Sequence, residues 1–149
     1  MAGTVTKSVI VKGRIDDVYE VWSDFKNFPR FMEHIQSVTA DDGQSHWVMQ
    51  GPLGTTIEWD AETTRMDHNQ RIAWSSKDGS PVKTSGQVTF KELPDQEVEV
   101  TATVHYEPGA GLAGDLAASL FGDVEGRLDQ DLRNFKAHVE GMHDEPSNR

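Results

Sequence analysis

Three carboxylates alternate through Glu58, Asp60 and Glu62. Alternate residues of an extended chain share a face, so the three would gather as a general base or a hard-metal site requires. The intervening Trp59 and Ala61 are better core candidates, which turns the carboxylates to water, within reach of Arg65 or Arg71. The six histidines, at 34, 46, 68, 105, 138 and 143, show no His-Glu-x-x-His or other ligand spacing. His46 is set apart only by its neighbour Trp47, and His105 alternates outward beside Glu107. Tyr106, turned inward by the same parity, is the main acid–base candidate. No Gly-x-Ser-x-Gly elbow, phosphate loop or dinucleotide fingerprint occurs. No catalytic residue is assigned, and neither a metal nor a cofactor is expected.

The 149 residues suffice for one domain with a single core, expected over 1–142 with a disordered polar tail at 143–149. There is no cysteine, which excludes a disulfide scaffold, a thiol nucleophile and a cysteine-held metal. Twenty-five acidic against fourteen basic side chains give a formal charge of −11. Such a surface repels phosphate backbones and anionic membranes, so no nucleic-acid partner is expected. The first residues lack the apolar core of a signal peptide, and no window resembles a membrane span. A cytoplasmic location is the expectation.

The elements that must position any site follow from periodicity. Thr4 to Val11 alternates and is rich in Val, Ile and Thr, predicting a strand. Val5, Val9 and Val11 share a face on which Lys7 is discordant. Ile15, Val18, Val21 or Trp22, and Phe25 fall at helical spacing, with Asp16 and Asp17 suited to a helix start. A second short helix is expected near 27–32, with Pro29 in its first turn. Turn signals such as Asp41-Asp42-Gly43, Asp78-Gly79-Ser80-Pro81 and Leu93-Pro94-Asp95 then divide the chain into six strands. These are expected near 34–40, 44–50, 55–65, 70–77, 83–92 and 97–106. Beyond Tyr106, the residues Leu112, Leu116, Leu120, Val124, Leu128, Leu132, Phe135 and Val139 form the apolar stripe of a helix. Counted from Gly109 to Gly141 it would be roughly 45 Å long. Its natural partner is a curved antiparallel sheet of seven strands. Gly122 sits near its centre, as a hinge or as a close-packing point against the sheet.

Val21-Trp22-Ser23-Asp24-Phe25-Lys26-Asn27-Phe28-Pro29-Arg30-Phe31-Met32 resembles the amino-terminal signature of the polyketide cyclase/dehydrase family, also described as the coenzyme-Q-binding START-like group. Ser45-His46-Trp47, Gly51-Pro52-Leu53-Gly54, Glu58-Trp59-Asp60-Ala61-Glu62 and Arg71-Ile72-Ala73-Trp74 are similar to the same group in the same order. The element order resembles the α+β helix-grip fold of the START-like/Bet v 1-like (SRPBCC) superfamily. That resemblance implies a cavity between sheet and long helix that holds a small hydrophobic ligand: a lipid, a quinone or a polyketide-like molecule. By strand parity Trp59, Val88, Phe90, Val104 and Tyr106 would point into it, and Trp74 lies on a lining strand. Phe28, Phe31 and Met32 would form an entrance, faced by Leu116 and Leu120 from the helix. A volume of several hundred Å³ is expected, the usual range of ligand pockets. The same residues could instead fill a solid core, and exposed Phe28 and Phe31 could instead mark a homodimer contact. A cyclase or dehydrase and a ribosome-associated interaction module are the alternatives that the family implies.

Overall fold

The computed structural model describes residues 3–50, 54–108 and 123–144. Strand β1 (Gly3–Lys12) is followed by α1 (Ile15–Ser23) and a 3-10 helix (Phe25–Arg30). The meander comprises β2 (Ile35–Asp41), β3 (Gln44–Gln50), β4 (Thr56–Asp67), β5 (Arg71–Ser76), β6 (Val82–Leu93) and β7 (Glu97–Pro108). A helix, α2 (Val124–Asp144), closes the described chain. All strands pair antiparallel in one seven-stranded sheet ordered β1-β7-β6-β5-β4-β3-β2. The strand bounds lie within two residues of those that the turn signals predict.

Alternation decides which face is buried. Ile57, Trp59 and Ala61 on β4, Val88 and Phe90 on β6, and Val98, Val100 and Ala102 on β7 are buried, while Glu58, Asp60 and Glu62 face solvent. Lys7, the discordant member of the inward face of β1, reaches Glu125 in the first turn of α2 at 2.8 Å. The bond to that carboxylate holds the ammonium pKa above its ordinary value.

α2 differs from the helix that the stripe predicts. It starts at Val124, because the Asp123 carboxylate takes the backbone N–H of Gly126 at 3.1 Å as an N-cap does. Residues 109–122, with Leu112, Leu116, Leu120 and Gly122, lie outside the described residues. At its other end α2 continues through Gly141 to Asp144, including two residues assigned above to a tail. Its 21 residues correspond to about 30 Å.

The C-terminal half of α2 is fastened to the sheet in two ways. Leu132, Phe135 and Val139 are at most 1% exposed, with Phe135 edge-on to Trp22 at 4.8 Å between centroids. Beside them, Lys136 Nζ donates to the Ile10 carbonyl and Glu140 accepts from the Lys12 N–H, each at 2.9 Å. β1 is an edge strand, so these backbone groups have no neighbouring strand. The Lys136–Glu140 ion pair supplies the missing partners. Truncating Phe135→Ala is expected to cost about 3–5 kcal/mol of stability, measured as a lower urea midpoint at unchanged m-value.

Candidate functional site

The inside of the sheet is filled unevenly. Under the C-terminal half of α2, Val11, Val18, Val88, Val98, Val100, Leu132, Phe135 and Val139 pack without solvent exposure above 1%. Toward the start of α2 there is a cavity of about 200 Å³. Strands β3 and β4 contribute Ser45, Trp47, Met49, Trp59 and Ala61 to its lining; β5, β6 and β7 contribute Ile72, Trp74, Val82, Thr84, Ala102, Val104 and Tyr106. Trp22, Phe25, Phe28 and Met32 line it from the two N-terminal helices and the residues after them, and α2 lays Val124, Arg127, Leu128 and Asp131 over it.

The aromatic wall is built from rings packed on one another. Trp47 and Trp59 are cross-strand partners and stack at 6.0 Å with their planes 8° apart. Phe28 packs on Trp47 at 5.4 Å, and Phe25 on Phe28 at 5.3 Å. The Trp47 indole N–H donates to Ser45 Oγ at 2.8 Å, and that hydroxyl donates to the Ala61 carbonyl at 3.4 Å. This wall therefore offers a guest ring faces, with the Trp47 indole N–H and the Ser45 hydroxyl already engaged. On the opposite side Trp74 lies over Gly86, its partner on β6. A Cβ at Gly86 would stand 2.1 Å from the Thr103 carbonyl oxygen and 3.2 Å from the Trp74 ring, so no side chain fits there without moving a strand.

Of the residues that parity and position single out, Trp59, Trp74, Val104, Tyr106, Phe28 and Met32 line this cavity. Val88 and Phe90 do not: Val88 belongs to the solid part of the core, and Phe90 stacks edge-on against Tyr19 of α1 at 5.3 Å. Both point inward as expected, but they stand too far along β6. Phe31 is not an entrance residue either. It lies between Phe28 and Phe135, 5.5 and 5.3 Å from their centroids, and fastens α2 to the 3-10 helix. Phe28 and Phe31 are 4% and 3% exposed, so neither offers a surface to a second copy. Leu116 and Leu120 lie outside the described residues. The volume is below the several hundred Å³ expected, because the four-ring group of Phe25, Phe28, Trp47 and Trp59 occupies much of the β3–β4 side.

Sequence reasoning missed Asp131. Among the described residues it is the sole carboxylate in this lining, with His34, Tyr106 and Arg127 the other ionisable groups. Burial pushes its pKa from the ordinary 3.8 to about 7; Arg127 opposes the rise and Glu33 adds to it. The signal was present, since Asp131 stands seven residues after Val124, three after Leu128 and four before Phe135, on the apolar stripe itself. The alternating carboxylates, by contrast, are remote from the cavity. Asp60 and Glu58 hold His46 between them on the outer face, at 2.8 and 2.9 Å. The hydrogen bond to Asp60, then that to Glu58, raises the imidazole pKa.

A seven-stranded sheet gripping a C-terminal helix over an apolar hollow defines a helix-grip protein of the START-like kind. The chain belongs to the family described as polyketide cyclase/dehydrase and lipid transport, whose pattern its residues 11–133 match. It is similar to a solved protein from Deinococcus radiodurans, at 30% identity and TM-score 0.74, covering 93% of this chain and 98% of that one. An aromatase/cyclase from a Streptomyces species superposes with TM-score 0.73 at 19% identity, over 94% of each chain. A START superfamily protein from Mycobacterium smegmatis does so with TM-score 0.73 at 16% identity, covering 93% of this chain and 98% of that one. At the two lower identities the likeness is one of fold.

A carboxyl whose folded-state pKa is raised has a definite effect on stability. Between pH 3.8 and about 7 the folded protein holds a proton that the unfolded chain has lost, so stability falls as pH rises through this window. Asp131→Asn, which cannot ionise, is expected to gain stability relative to the parent from pH 4 to pH 7, the gain levelling off above about pH 7. Thermal melts of both proteins across this range measure it.

Proposed function

We propose that the protein binds a small hydrophobic molecule, of lipid, quinone or polyketide-like character, in the cavity between the sheet and α2. The observation that carries this reading is a hollow walled by Trp22, Phe28, Trp47, Trp59 and Trp74 in a domain whose other half is packed solid. A globular core normally leaves few voids larger than a water, and an apolar hollow lined by aromatic faces is how proteins hold apolar guests. Family membership and the fold of its neighbours agree with a container. The ring faces favour a flat or unsaturated guest, and the polar groups of Asp131, Arg127, His34 and Tyr106 suit one with a single polar end. The acidic surface belongs to this reading as protection against nucleic-acid binding, with action in the cytoplasm as part of the proposal. No described helix is long and apolar enough to cross a membrane.

A second reading, an enzyme of the cyclase or dehydrase type, is favoured by one observation. Asp131 is an acid in a cavity, with a pKa of about 7, where a group can both give and take a proton at neutral pH. It would remove a proton from carbon beside a carbonyl and return it to oxygen. The solved aromatase/cyclase neighbour makes this chemistry relevant to the fold. Cyclisation of a poly-β-ketone that Asp131→Asn abolishes, with guest binding retained, would establish the enzyme.

The container reading is tested with N-phenyl-1-naphthylamine and the smaller 2-acetylnaphthalene, followed by quenching of tryptophan fluorescence. Saturable binding at one site per chain is expected. Val104→Trp, which fills the cavity from β7, should weaken it at least about tenfold, corresponding to about 1.4 kcal/mol, while circular dichroism stays unchanged. Equal binding by the filled variant would place the guest elsewhere.

A further inference from the structure

Asp131 lines the space that a guest would occupy. It projects from α2 into the same hollow as Leu128, Trp59 and Trp74, and a carboxylate depends on hydration for its charge. When an apolar molecule fills the hollow, the water solvating that carboxylate is the water expelled. The neutral carboxyl loses far less, because it keeps no net charge to solvate. Occupancy and ionisation therefore compete for the same space.

We propose that guest binding in this cavity is proton-linked through Asp131: the protein takes up a neutral guest together with one proton and releases both as the carboxyl ionises. The proposal rests on the container reading and adds its regulation. The step moves one proton from solvent onto a carboxylate oxygen of Asp131, and no other bond is made or broken. On release that proton returns to water.

The surrounding charges fit such a device. Arg127, one turn earlier on α2, favours the ionised form, and Glu33, in the segment between the 3-10 helix and β2, opposes it. His34 from that segment and Tyr106 from β7 complete the ionisable groups facing the cavity among the described residues. Burial already outweighs Arg127, so the carboxyl stands near its midpoint at neutral pH. A guest that removes the remaining water shifts it further in the same direction. A rise in pH through neutrality then weakens the hold on the guest progressively.

The test is the affinity for N-phenyl-1-naphthylamine, which is uncharged over the range, in the parent, Asp131→Asn and His34→Gln from about pH 5.5 to about pH 8.5. The parent should bind about tenfold more weakly at pH 8 than at pH 6. Asp131→Asn should bind with one affinity throughout, close to that of the parent at the acid end. His34→Gln is the control because His34 also lines the cavity; it should keep the slope of the parent, whatever its absolute affinity. A slope that survives in Asp131→Asn, or vanishes in His34→Gln, overturns the assignment to Asp131. A flat profile in the parent overturns the proton linkage and leaves the container intact, whereas no binding by any of the three at any pH overturns the container itself. Calorimetry of the parent in two buffers of different ionisation enthalpy supplies a readout without a substitution. Uptake approaching one proton per guest near pH 8 is expected, and none at that pH contradicts the proposal.

Discussion

The lashing of α2 to the free edge of β1 is the constraint on which the cavity depends. An edge strand exposes unpaired N–H and C=O groups that another chain can use. Here Lys136 and Glu140 take up those of Ile10 and Lys12, and Leu132, Phe135 and Val139 bury the adjoining stripe. Asn134 adds a bond from its amide to the Phe31 carbonyl at 3.0 Å. With the C-terminal half of the helix held this way, the N-terminal half is carried above the sheet without filling the space below it. Lys7 and Glu125 tie that end to β1 from the inward face. The helix thus spans a packed region and an empty one, and the division falls between Asp131 and Leu132.

That division gives the two regions different chemistry. In the packed region large aliphatic and aromatic side chains meet one another, and their burial supplies stability in the ordinary way. Around the hollow the walls are packed indoles and phenyl rings, with the Trp47 indole N–H bonded to Ser45. A hollow bounded by such walls does not collapse easily, because closing it would break the Trp47–Trp59 stack or move Trp74 off Gly86. A carboxylic acid placed over this space is the unusual feature, and it makes the space responsive to protons.

Much of the architecture was legible because period-two alternation and turn chemistry are local. Asp42-Gly43 and Asp95-Gln96 adopt positive φ at hairpin turns, and the strands that they join follow from neighbouring residues. Burial of Trp59 and exposure of Glu58 and Asp60 could be read the same way. Parity, however, tells the face and not the distance along the strand. Val88 and Phe90 share the inward face with Gly86, yet Val88 packs in the solid part of the core and Phe90 against Tyr19 of α1, away from the hollow. Phe31 looked like an entrance because three phenylalanines at three-residue spacing have no assigned partner in sequence. Its partners, Phe135 and His138, come from more than a hundred residues away. Asp131 escaped notice because a stripe is found by its apolar members, and an acid on that stripe is visible only when the wheel is completed. The start of α2 at Val124 depends on one capping carboxylate that hydrophobic periodicity does not register.

The central claim is an unfilled apolar space between Trp59, Trp74 and Leu128. Diffraction from a xenon-pressurised crystal tests it directly, since xenon enters apolar cavities and scatters strongly. The account predicts xenon density among those three side chains with the protein otherwise unmoved. Density absent there, with neighbouring side chains meeting across the space, would contradict it.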